Sequence, residues 1–581
     1  MSTDHAVLVA AARAWQAIDP DPVTRAATDT LVAEGGDALV EAFGGRLQFG
    51  TAGIRGRMGP GPGQLNRVLV RQVTAGLAAY LLETVPDARE KGVVVGGDAR
   101  NNSDVFAADV AGVFGAAGIA VHWFEGSVAT PVLSHAVTHL GAVGGVMVTA
   151  SHNPPADNGY KVYWGNGAQI IPPHDRGISA AIDATSPGSV EVAGLDGLAA
   201  KGLLRPVPAA VFAAYVGEVL AERVHPGHTV KAVYTAMHGV GYAPLQAVLE
   251  AAGHAPVVPV VEQVEPDGDF PTVAFPNPEE KGALDLAKAC ATASGASVIV
   301  AHDPDADRLA VAVPDAAAEG GWRQLTGNEV GLLLADDLLT HGSQAEPRLV
   351  ADTIVSSPLL GVIAEAHGAR HVETLTGFKW IANVAIDHLE ETGGGFVMGF
   401  EEALGYSVGP VVRDKDGVGA ALQLLDLAGW CESRGTTLAA HLDALFARYG
   451  LAVSGQRSVK LPGAAGRARI EGVLAALRAD PPGEIGGRAV WRVRDVWTGE
   501  VVDRRSGERG TVGLPKSNVL VYDLDGGARV IARPSGTEPK IKLYVDVVEA
   551  VGEDGVGAAR VRAMGALEGL AEAMLGVTGL G

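Results

Sequence analysis

Cysteine is nearly absent from this chain of 581 residues, which contains only Cys290 and Cys431. Two cysteines cannot form a disulfide framework, and neither has a second cysteine or a histidine at the spacing of a zinc site. No run of about 18 apolar residues is present, so a transmembrane helix is not expected. The first residues include acidic side chains and lack the basic start of a secretory signal. A reducing compartment, the cytoplasm, is therefore the predicted location.

Positive charge is also scarce, because 45 Lys and Arg residues face 67 Asp and Glu residues and the net charge is −22. A nucleic-acid partner normally requires a basic surface, so this class of partner is not expected. The same deficit repels anions in general. An anionic ligand would therefore have to be held by local cations or by a metal ion.

Helix and strand patterns alternate along most of the chain. Apolar content of 47% and charged content of 19% are those of a globular protein, and the length suggests about four domains. Short apolar segments separated by helical spacing predict mainly parallel sheets covered on both faces, followed from about residue 455 by a smaller α+β domain. The predicted divisions are an N-terminal helical extension and four domains, at residues 1–45, 46–205, 206–322, 323–452 and 453–581.

The most informative segment is Asp303-Pro304-Asp305-Ala306-Asp307-Arg308, which directly follows the apolar stretch 296–301. Pro304 disfavours a helix, and in an extended or turning backbone the three aspartates converge on one face. Carboxylates this close require a cation among them, and oxygen-only ligands favour Mg2+, with Ca2+ or Mn2+ as alternatives. Arg308 suits a phosphate beside the metal. A solvated acidic turn is the competing interpretation.

A second candidate segment, residues 149–155, follows another predicted strand. Ser151 lies on a loop that Pro154 prevents from continuing as a strand, a suitable position for a nucleophile. His152 would fit a serine hydrolase, but the Gly-x-Ser-x-Gly elbow is absent. Lys161 and, on the glycine-rich loop 49–56, Arg55 are possible phosphate contacts. An ordinary turn remains the alternative at both loops.

Three later loops carry groups suited to sugars and phosphates. Thr376-Gly377-Phe378-Lys379 opens a predicted helix, where anions bind. Glu401 and Glu402 follow a predicted strand and could accept hydrogen bonds from sugar hydroxyls, although such a pair, taken without context, favours a solvated acidic loop. The segment 533–540 concentrates arginine, serine, threonine, lysine and glycine, which favours phosphate binding over a structural turn.

Four of these loops together resemble the signature loops of the α-D-phosphohexomutases, and the similarity extends from about residue 45 to the end. They are Thr149-Ala150-Ser151-His152-Asn153-Pro154, Asp303-Pro304-Asp305-Ala306-Asp307-Arg308, Glu401-Glu402-Ala403-Leu404-Gly405 and Arg533-Pro534-Ser535-Gly536-Thr537-Glu538-Pro539. The resemblance implies four domains in a heart shape. Three would be related α/β domains with mixed sheets, and the fourth an α+β domain of the TATA-binding-protein-like type.

The resemblance also implies the role of each loop. Ser151 would carry a phosphoryl group, and a phosphoserine oxygen would join Asp303, Asp305 and Asp307 in holding one Mg2+ per chain. By position, the resemblance implies that Arg55, Lys161 and Arg308 would surround the transferring phosphate. Lys379 with Thr376 and Gly377 would set sugar specificity, and Glu401 would bind sugar hydroxyls. The other phosphate would be held by Arg533, Ser535, Gly536 and Thr537. Lys161 is the first candidate for a general base and His152 the second.

The expected reaction is the interconversion of glucose 1-phosphate and glucose 6-phosphate, with glucose 1,6-bisphosphate as intermediate and activator. Many relatives have serine where this chain has Ala403, which leaves the sugar open between glucose, mannose and pentose phosphates. The loops Thr376–Trp380 and Phe400–Tyr406 resemble a longer subgroup that includes phosphopentomutases and glucose-1,6-bisphosphate synthases. A metal-dependent phosphohydrolase is the alternative from another class. The partner is expected to be a phosphosugar, and the chain a monomer or homodimer.

Overall fold

The structure, a computed structural model, describes residues 5–51, 53–461, 463–535 and 540–580. Its chain separates into two compact units, which are treated individually. Unit 1 takes the described residues of Met1–Leu325 and Gly405–Trp430, and unit 2 takes those of Thr326–Leu404 and Cys431–Gly581. Among the described residues, no helix has both the length and the apolar character required to cross a membrane.

Unit 1 begins with three short helices: α1 (His5–Ile18), α2 (Pro22–Glu34) and α3 (Gly36–Phe43). Asp21 caps α2 by accepting a hydrogen bond from the Val23 amide, and Pro22 starts the helix. Gly35 and Gly36 both adopt positive φ and separate α2 from α3, a break that helical spacing alone does not reveal. The apolar faces of these helices pack on Val68.

A six-stranded mixed sheet follows in the order β1-β5-β4-β2-β3-β6. Strands β4, β2, β3 and β6 are parallel, and β5 runs antiparallel to both of its neighbours. The strands are β1 (Gly53–Arg57), β2 (Val93–Gly97), β3 (Val121–Ser127), β4 (Gly144–Val148), β5 (Asp157–Trp164) and β6 (Leu204–Pro206). The helices are α4 (Arg67–Thr84), α5 (Ala88–Lys91), α6 (Ser103–Ala116), α7 (Thr130–His139), α8 (His174–Ala184) and α9 (Leu195–Ala200).

The second sheet of unit 1 has the order β11-β10-β9-β7-β8, with β9, β7 and β8 parallel and β10 and β11 antiparallel. Its elements are α10 (Ala209–Ala221), β7 (Ala232–Thr235), α11 (Tyr242–Ala251), β8 (Val258–Pro259), α12 (Asp285–Ser294), β9 (Val298–Ala301), β10 (Ala310–Pro314) and β11 (Trp322–Gln324). The later segment of unit 1 contributes β15 (Gly405–Val408) and the first part of α16 (Gly417–Ser433).

Unit 2 contains parallel strands and an antiparallel sheet. Strand β12 (Arg348–Thr353) pairs in parallel with β13 (Arg370–Thr374) and β14 (Gly395–Glu401). The surrounding helices are α13 (Gly327–His341), α14 (Leu359–Ala366), α15 (Phe378–Thr392) and α17 (Leu438–Tyr449). Thr326 and Glu329 form a capping box at the start of α13.

The C-terminal part of unit 2 is an antiparallel sheet in the order β16-β23-β22-β21-β18-β19-β20, with β17 on β18. Its strands are β16 (Leu451–Lys460), β17 (Glu484–Ile485), β18 (Arg488–Asp495), β19 (Glu500–Asp503), β20 (Arg509–Thr511), β21 (Leu520–Leu524), β22 (Ala528–Pro534) and β23 (Lys540–Glu549), accompanied by α18 (Gly463–Ala479) and α19 (Gly555–Thr578). Mixed α/β sheets followed by a C-terminal α+β domain confirm the predicted fold class. The predicted domain boundaries stay a prediction.

Candidate active site

The aspartate loop lies directly after β9 and is completely buried at Asp303, Asp305 and Asp307. One carboxylate oxygen from each residue lies within 4.8 Å of the others. This convergence comes from a tight turn rather than from an extended strand. The Ala306 amide donates to the carbonyl of Asp303 at 2.9 Å, and Ala306 itself has φ +58°.

Two lysines balance the charge of the three carboxylates. The Lys161 ammonium donates to Asp305 Oδ2 at 2.6 Å and to Asp307 Oδ2 at 2.8 Å, and Lys415 Nζ lies 3.2 Å from Asp307 Oδ2. Burial opposes ionisation of Asp305, but Lys161 outweighs it and lowers the pKa of this carboxyl. At Asp303, burial and the neighbouring aspartates outweigh Arg308 and hold the pKa of the carboxyl well above its usual value.

The same loop has the donor atoms that a hard divalent cation requires. Asp305 Oδ1 and Asp307 Oδ1 are buried, and neither oxygen has a hydrogen-bond partner within the described ranges. A buried carboxylate oxygen without a partner is costly unless a cation satisfies it. Three carboxylates with two such oxygens therefore fit a magnesium ion, which prefers oxygen ligands.

Ser151 is brought to this loop from the end of β4, across 152 positions of sequence. Its Oγ donates to Asp303 Oδ2 at 2.7 Å, and His152 Nδ1 lies 3.3 Å from the same Oγ. Ser151 has φ +53°, an unusual conformation for a residue other than glycine. Its amide donates to Thr149 Oγ1 at 2.8 Å, which helps to fix the turn.

The turn that carries Ser151 is held by Arg100, a residue that the sequence analysis did not select. Its guanidinium donates to the carbonyl oxygens of Ser151 at 2.6 Å and Pro154 at 2.9 Å, and also to those of Asn153 and Asp157. Arg100 itself is 3% exposed. Arg100 could have been selected from its position in the loop 98–100 after β2, because ligands of a parallel sheet bind beside the loops that follow its strands.

The two candidates for a general base have different charge states. Burial lowers the pKa of His152 well below its usual value, and the nearby Arg308 and Arg55 add to this effect. Burial would lower the pKa of Lys161 too, but Asp305 and Asp307 outweigh burial and raise it. His152 is therefore a neutral imidazole near Ser151, whereas Lys161 is a cation paired with the aspartate loop.

Arg308 and Arg55 complete a local concentration of positive charge in an acidic protein. Arg308 Nε lies 3.9 Å from Asp303 Oδ2 and 3.9 Å from Asp307 Oδ1. Arg55 is exposed on β1, paired in register with Gly159 of β5. Because β5 also carries Lys161, the strand pairing brings both cations to one part of the sheet. These groups offset the overall charge of −22 where an anion would bind.

Thr130 and Asp414 are further contacts of the site that sequence reasoning missed. Thr130, the first residue of α7, donates its hydroxyl to Asp305 Oδ2 at 2.6 Å and its amide to the Asp305 carbonyl at 2.9 Å. Asp414 accepts from Tyr163 at 2.7 Å and lies beside Lys415, with the two charged atoms 3.2 Å apart. More than 100 positions separate these residues from Asp305, so no local pattern connects them.

Unit 2 carries the candidate loops for sugar and phosphate. Thr376 and Gly377 immediately precede α15, and Gly377 has φ +108°. Lys379, in the first turn of that helix, is buried, and its ammonium lies 5.5 Å from the centre of the Trp380 ring. Glu401 ends β14, and both Glu401 and the neighbouring Ala403 are half-buried.

Tyr544 lies close to both the glutamate loop and the arginine loop of unit 2. Burial raises the pKa of its hydroxyl, Glu402 and Glu401 raise it further, and a hydrogen bond from Arg533 lowers it. Arg533 is on β22, opposite Lys542 of β23, and the Ser535 amide donates to the Lys540 carbonyl at 2.8 Å. Gly536 and Thr537 lie outside the described residues. Glu401, Glu402 and Arg533 therefore all lie close to Tyr544.

Comparison with known proteins identifies the family. Residues 46–188, 212–319 and 326–449 match the models of α/β/α domains I, II and III of phosphoglucomutase/phosphomannomutase. This chain belongs to the phosphoglucomutase/phosphomannomutase family. The resemblance inferred from the four loops is confirmed, and so is the prediction that the protein is an enzyme of the mutase class.

Similar proteins of this family have several names. A Haemophilus influenzae protein named "Probable phosphomannomutase" is 44% identical over 86% of this chain and 96% of its own length. A Schizosaccharomyces pombe protein named "Probable phosphoribomutase" is 38% identical over 91% of this chain and 92% of its own length. A phosphoglucomutase/phosphomannomutase family protein of Burkholderia thailandensis has a similar crystal structure, with a TM-score of 0.64, 20% identity and coverage of 91% and 97%. This last likeness concerns the fold alone.

Proposed function

We propose that this family member moves a phosphoryl group between the C1 and C6 hydroxyls of glucose phosphate through a phosphoserine at Ser151. The observation that supports this proposal best is the buried contact between Ser151 Oγ and Asp303 Oδ2, at 2.7 Å, beside two buried carboxylate oxygens that have no hydrogen-bond partner among the described residues. A nucleophile next to a hard-cation site, among Lys161 and Arg308, suits phosphoryl transfer.

The covalent intermediate solves a geometric problem. The C1 and C6 oxygens of a hexose are several bonds apart, so direct transfer between them is difficult. The bond between Ser151 Oγ and phosphorus breaks as a sugar hydroxyl bonds to that phosphorus, which gives glucose 1,6-bisphosphate. The bisphosphate then turns over, and its other phosphoryl group returns to Ser151. Positioning and charge stabilisation supply most of the catalysis.

Each half-reaction also moves one proton at each end of the transferring group. The sugar hydroxyl gives its proton to a solvent water as it attacks, and Ser151 Oγ, as it leaves, receives the proton that was removed from it when the serine was last phosphorylated. His152 Nδ1 lies 3.3 Å from Ser151 Oγ, so we assign the serine-side proton to His152. Lys161 is held by Asp305 and Asp307 through contacts of 2.6 and 2.8 Å, so we assign it an electrostatic role at the transferring phosphate.

Asp303, Asp305 and Asp307 would hold one Mg2+, together with a phosphoserine oxygen on Ser151. When bound, the ion withdraws negative charge from the phosphoryl group. Arg55 and Arg308 would neutralise further charge on that group. In a chain with a net charge of −22, these local cations make anion binding possible.

The loops of unit 2 would bind the part of the substrate that does not react. Glu401 would accept hydrogen bonds from sugar hydroxyls, and Arg533, Ser535, Gly536 and Thr537 would hold the second phosphate. Thr376, Gly377 and Lys379 would contribute to the choice of sugar. Ala403 has no hydroxyl to offer, so the contact that serine makes in many relatives would be missing.

A pentose phosphate is the second candidate substrate. It is favoured by the name of the fission-yeast relative, a phosphoribomutase that is 38% identical over nearly its whole length. The reaction would follow the same steps with the C1 and C5 hydroxyls of ribose. A trace of the corresponding bisphosphate would activate either reaction by phosphorylating Ser151. We place the reaction in the cytoplasm, as the low cysteine content suggests, with the protein acting as a monomer or homodimer.

The deciding experiment supplies the purified protein with Mg2+, a trace of bisphosphate and, in separate assays, glucose 1-phosphate and ribose 1-phosphate. We expect isomerised glucose phosphate, and intact-protein mass spectrometry should detect one phosphoryl group on the enzyme. Ser151→Ala should abolish both signals, whereas Ser127→Ala, at an exposed serine of β3, should retain them. A clear preference for ribose would move the assignment to the pentose.

Two other results would contradict the proposal. Release of inorganic phosphate without isomerised sugar would indicate a phosphohydrolase that uses Ser151. Full activity of a folded Ser151→Ala protein would exclude the phosphoserine altogether.

A further inference from the structure

Two helices of unit 1 carry a group of metal-binding side chains away from the aspartate loop. His135 and His139 are four residues apart on α7, so they project from the same face of that helix. Glu218 is on α10, which packs against α7. One ligand atom from each of these three residues lies within 4.8 Å of the other two.

The individual contacts are compatible with joint coordination. His135 Nε2 lies 3.1 Å from Glu218 Oε2, and the centres of the His135 and His139 rings are 5.4 Å apart. The imidazole of His135 is 2% exposed, whereas His139 and Glu218 are exposed. The other ring nitrogen of His135, Nδ1, is buried and has no hydrogen-bond partner in the described part of the chain. Because His139 and Glu218 are exposed, an ion could reach the group from solvent.

The donor set determines the class of ion. Mg2+ and Ca2+ prefer oxygen ligands, whereas two imidazoles and one carboxylate are a typical ligand set for Zn2+ and its neighbours in the first transition series. The two metal sites of unit 1 would thus differ in chemistry.

We propose that His135, His139 and Glu218 form a binding site for Zn2+ that joins α7 to α10. A fourth position would be left for water, as in other zinc sites with three protein ligands. None of these three side chains has a role in the mutase reaction proposed above, so this site is a separate proposal.

Both joined helices also contact residues around the aspartate loop. Thr130 at the start of α7 holds Asp305 through two hydrogen bonds. Tyr215, one turn before Glu218 on α10, donates to Asp416 at 2.8 Å, and its ring lies edge-on to that of His135, with 5.7 Å between centres. An ion between α7 and α10 would therefore stabilise the supports of the site as well as the two helices.

The test uses Co2+ as a spectroscopic substitute for Zn2+. Chelator-treated full-length protein is titrated with Co2+ in a large excess of Mg2+, which keeps hard-cation sites occupied, and visible absorption of the bound Co2+ is recorded. Zn2+ is then added as competitor. We expect one Co2+ per chain, with an absorption that Zn2+ abolishes. We also expect Zn2+ to raise the melting temperature of the protein.

Variants then locate the ion. His139→Ala and Glu218→Gln change exposed side chains, so both proteins should fold, and each should weaken Co2+ binding by at least about tenfold. His5→Ala removes an exposed helical histidine elsewhere in unit 1 and should bind Co2+ as the unaltered protein does. Equal binding by all variants would overturn the proposal. Absence of binding to the unaltered protein in excess Mg2+ would also overturn it, whatever the variants do.

Discussion

Arg100 illustrates how one buried side chain can support a loop that lacks regular secondary structure. The guanidinium of Arg100 binds four carbonyl groups between β4 and the start of β5, those of Ser151, Asn153, Pro154 and Asp157. Its planar shape and five donors suit several acceptors at once, and its charge is balanced by Asp98, 3.6 Å away. A lysine carries its three N–H donors on a single nitrogen atom and cannot reproduce this arrangement.

Arg100→Lys should therefore impair the reaction without removing a substrate contact. Carbonyl groups of the serine turn would lose partners, at a cost of about 1–3 kcal/mol each, and Ser151 would lose its fixed position. Turnover should fall by up to about a hundredfold, with little change in KM. Steady-state kinetics and a thermal melt would measure both effects. Arg89→Lys, at an exposed arginine that binds the Ala117 carbonyl, is the matched control. Equal kinetics of the two variants would contradict the role of Arg100.

At the level of single residues, sequence reasoning found the groups that have a local signature. Asp303, Asp305 and Asp307 stand alternately after a strand, and Ser151 is followed by a proline that ends its loop. Thr130 and Lys415 have no such signature, because their contacts with Asp305 and Asp307 exist only in the folded chain. Chemical type alone does not identify one threonine or one lysine among many.

The turn before α11 supports the aspartate loop from another element of the second sheet. The segment His238-Gly239-Val240-Gly241 forms this turn, and the helix begins at Tyr242. The Val240 amide donates to the Pro304 carbonyl at 2.9 Å. A Cβ atom at Gly239 would lie 2.4 Å from Pro304 Cα, so this close approach requires glycine.

Gly239→Ala should therefore displace the aspartate loop and weaken metal binding. The concentration of Mg2+ needed for half-maximal activity should rise about tenfold or more, the size of effect expected when support of metal ligands is lost. Gly217→Ala, on α10, is the control because its Cβ would meet no atom within 4 Å. It should leave Mg2+ activation unchanged and stabilise the helix by about 1 kcal/mol. An unchanged Mg2+ requirement in Gly239→Ala would contradict this support.

The helices and strands were predictable where the hydrophobic period is clear, and less so elsewhere. The stretch 65–85 has the hydrophobic spacing of a helix and contains α4. In contrast, β5 was not foreseen, because its sequence, Asp157 to Trp164, mixes polar and apolar residues. Its place between β1 and β4 buries both faces, and that tertiary environment overrides the local preference.

At the scale of the whole molecule, the chain leaves unit 1 at residue 325 and returns to it between Gly405 and Trp430. The returning segment supplies Asp414, Lys415 and Asp416, all of them buried. No composition change marks this return within the stretch 323–452, for which the sequence predicts one domain. A discontinuous unit depends on contacts between distant segments, which sequence periodicity does not report.

Asp416 should make the stability of unit 1 depend on pH. Burial raises the pKa of this carboxyl to about 6, although Gly419, Tyr215 and Val418 donate hydrogen bonds to it. The folded state therefore binds the proton more tightly than the unfolded state, whose pKa is near 3.8. At pH values below both of these pKa values, the protonated Asp416 contributes about 3 kcal/mol to the free energy of unfolding. This contribution is lost as the pH rises through about 6.

Asp416→Asn should remove this contribution, because the amide stays neutral while its oxygen still accepts from Tyr215 and Gly419. Between about pH 4 and pH 7, we expect the free energy of unfolding of the unaltered protein to fall relative to that of the variant. Urea-unfolding midpoints across this range would measure the difference. Asp196→Asn, at an exposed position of α9, serves as the control. A constant difference over the whole range would show that Asp416 is ionised in the folded protein and that its three hydrogen bonds outweigh burial.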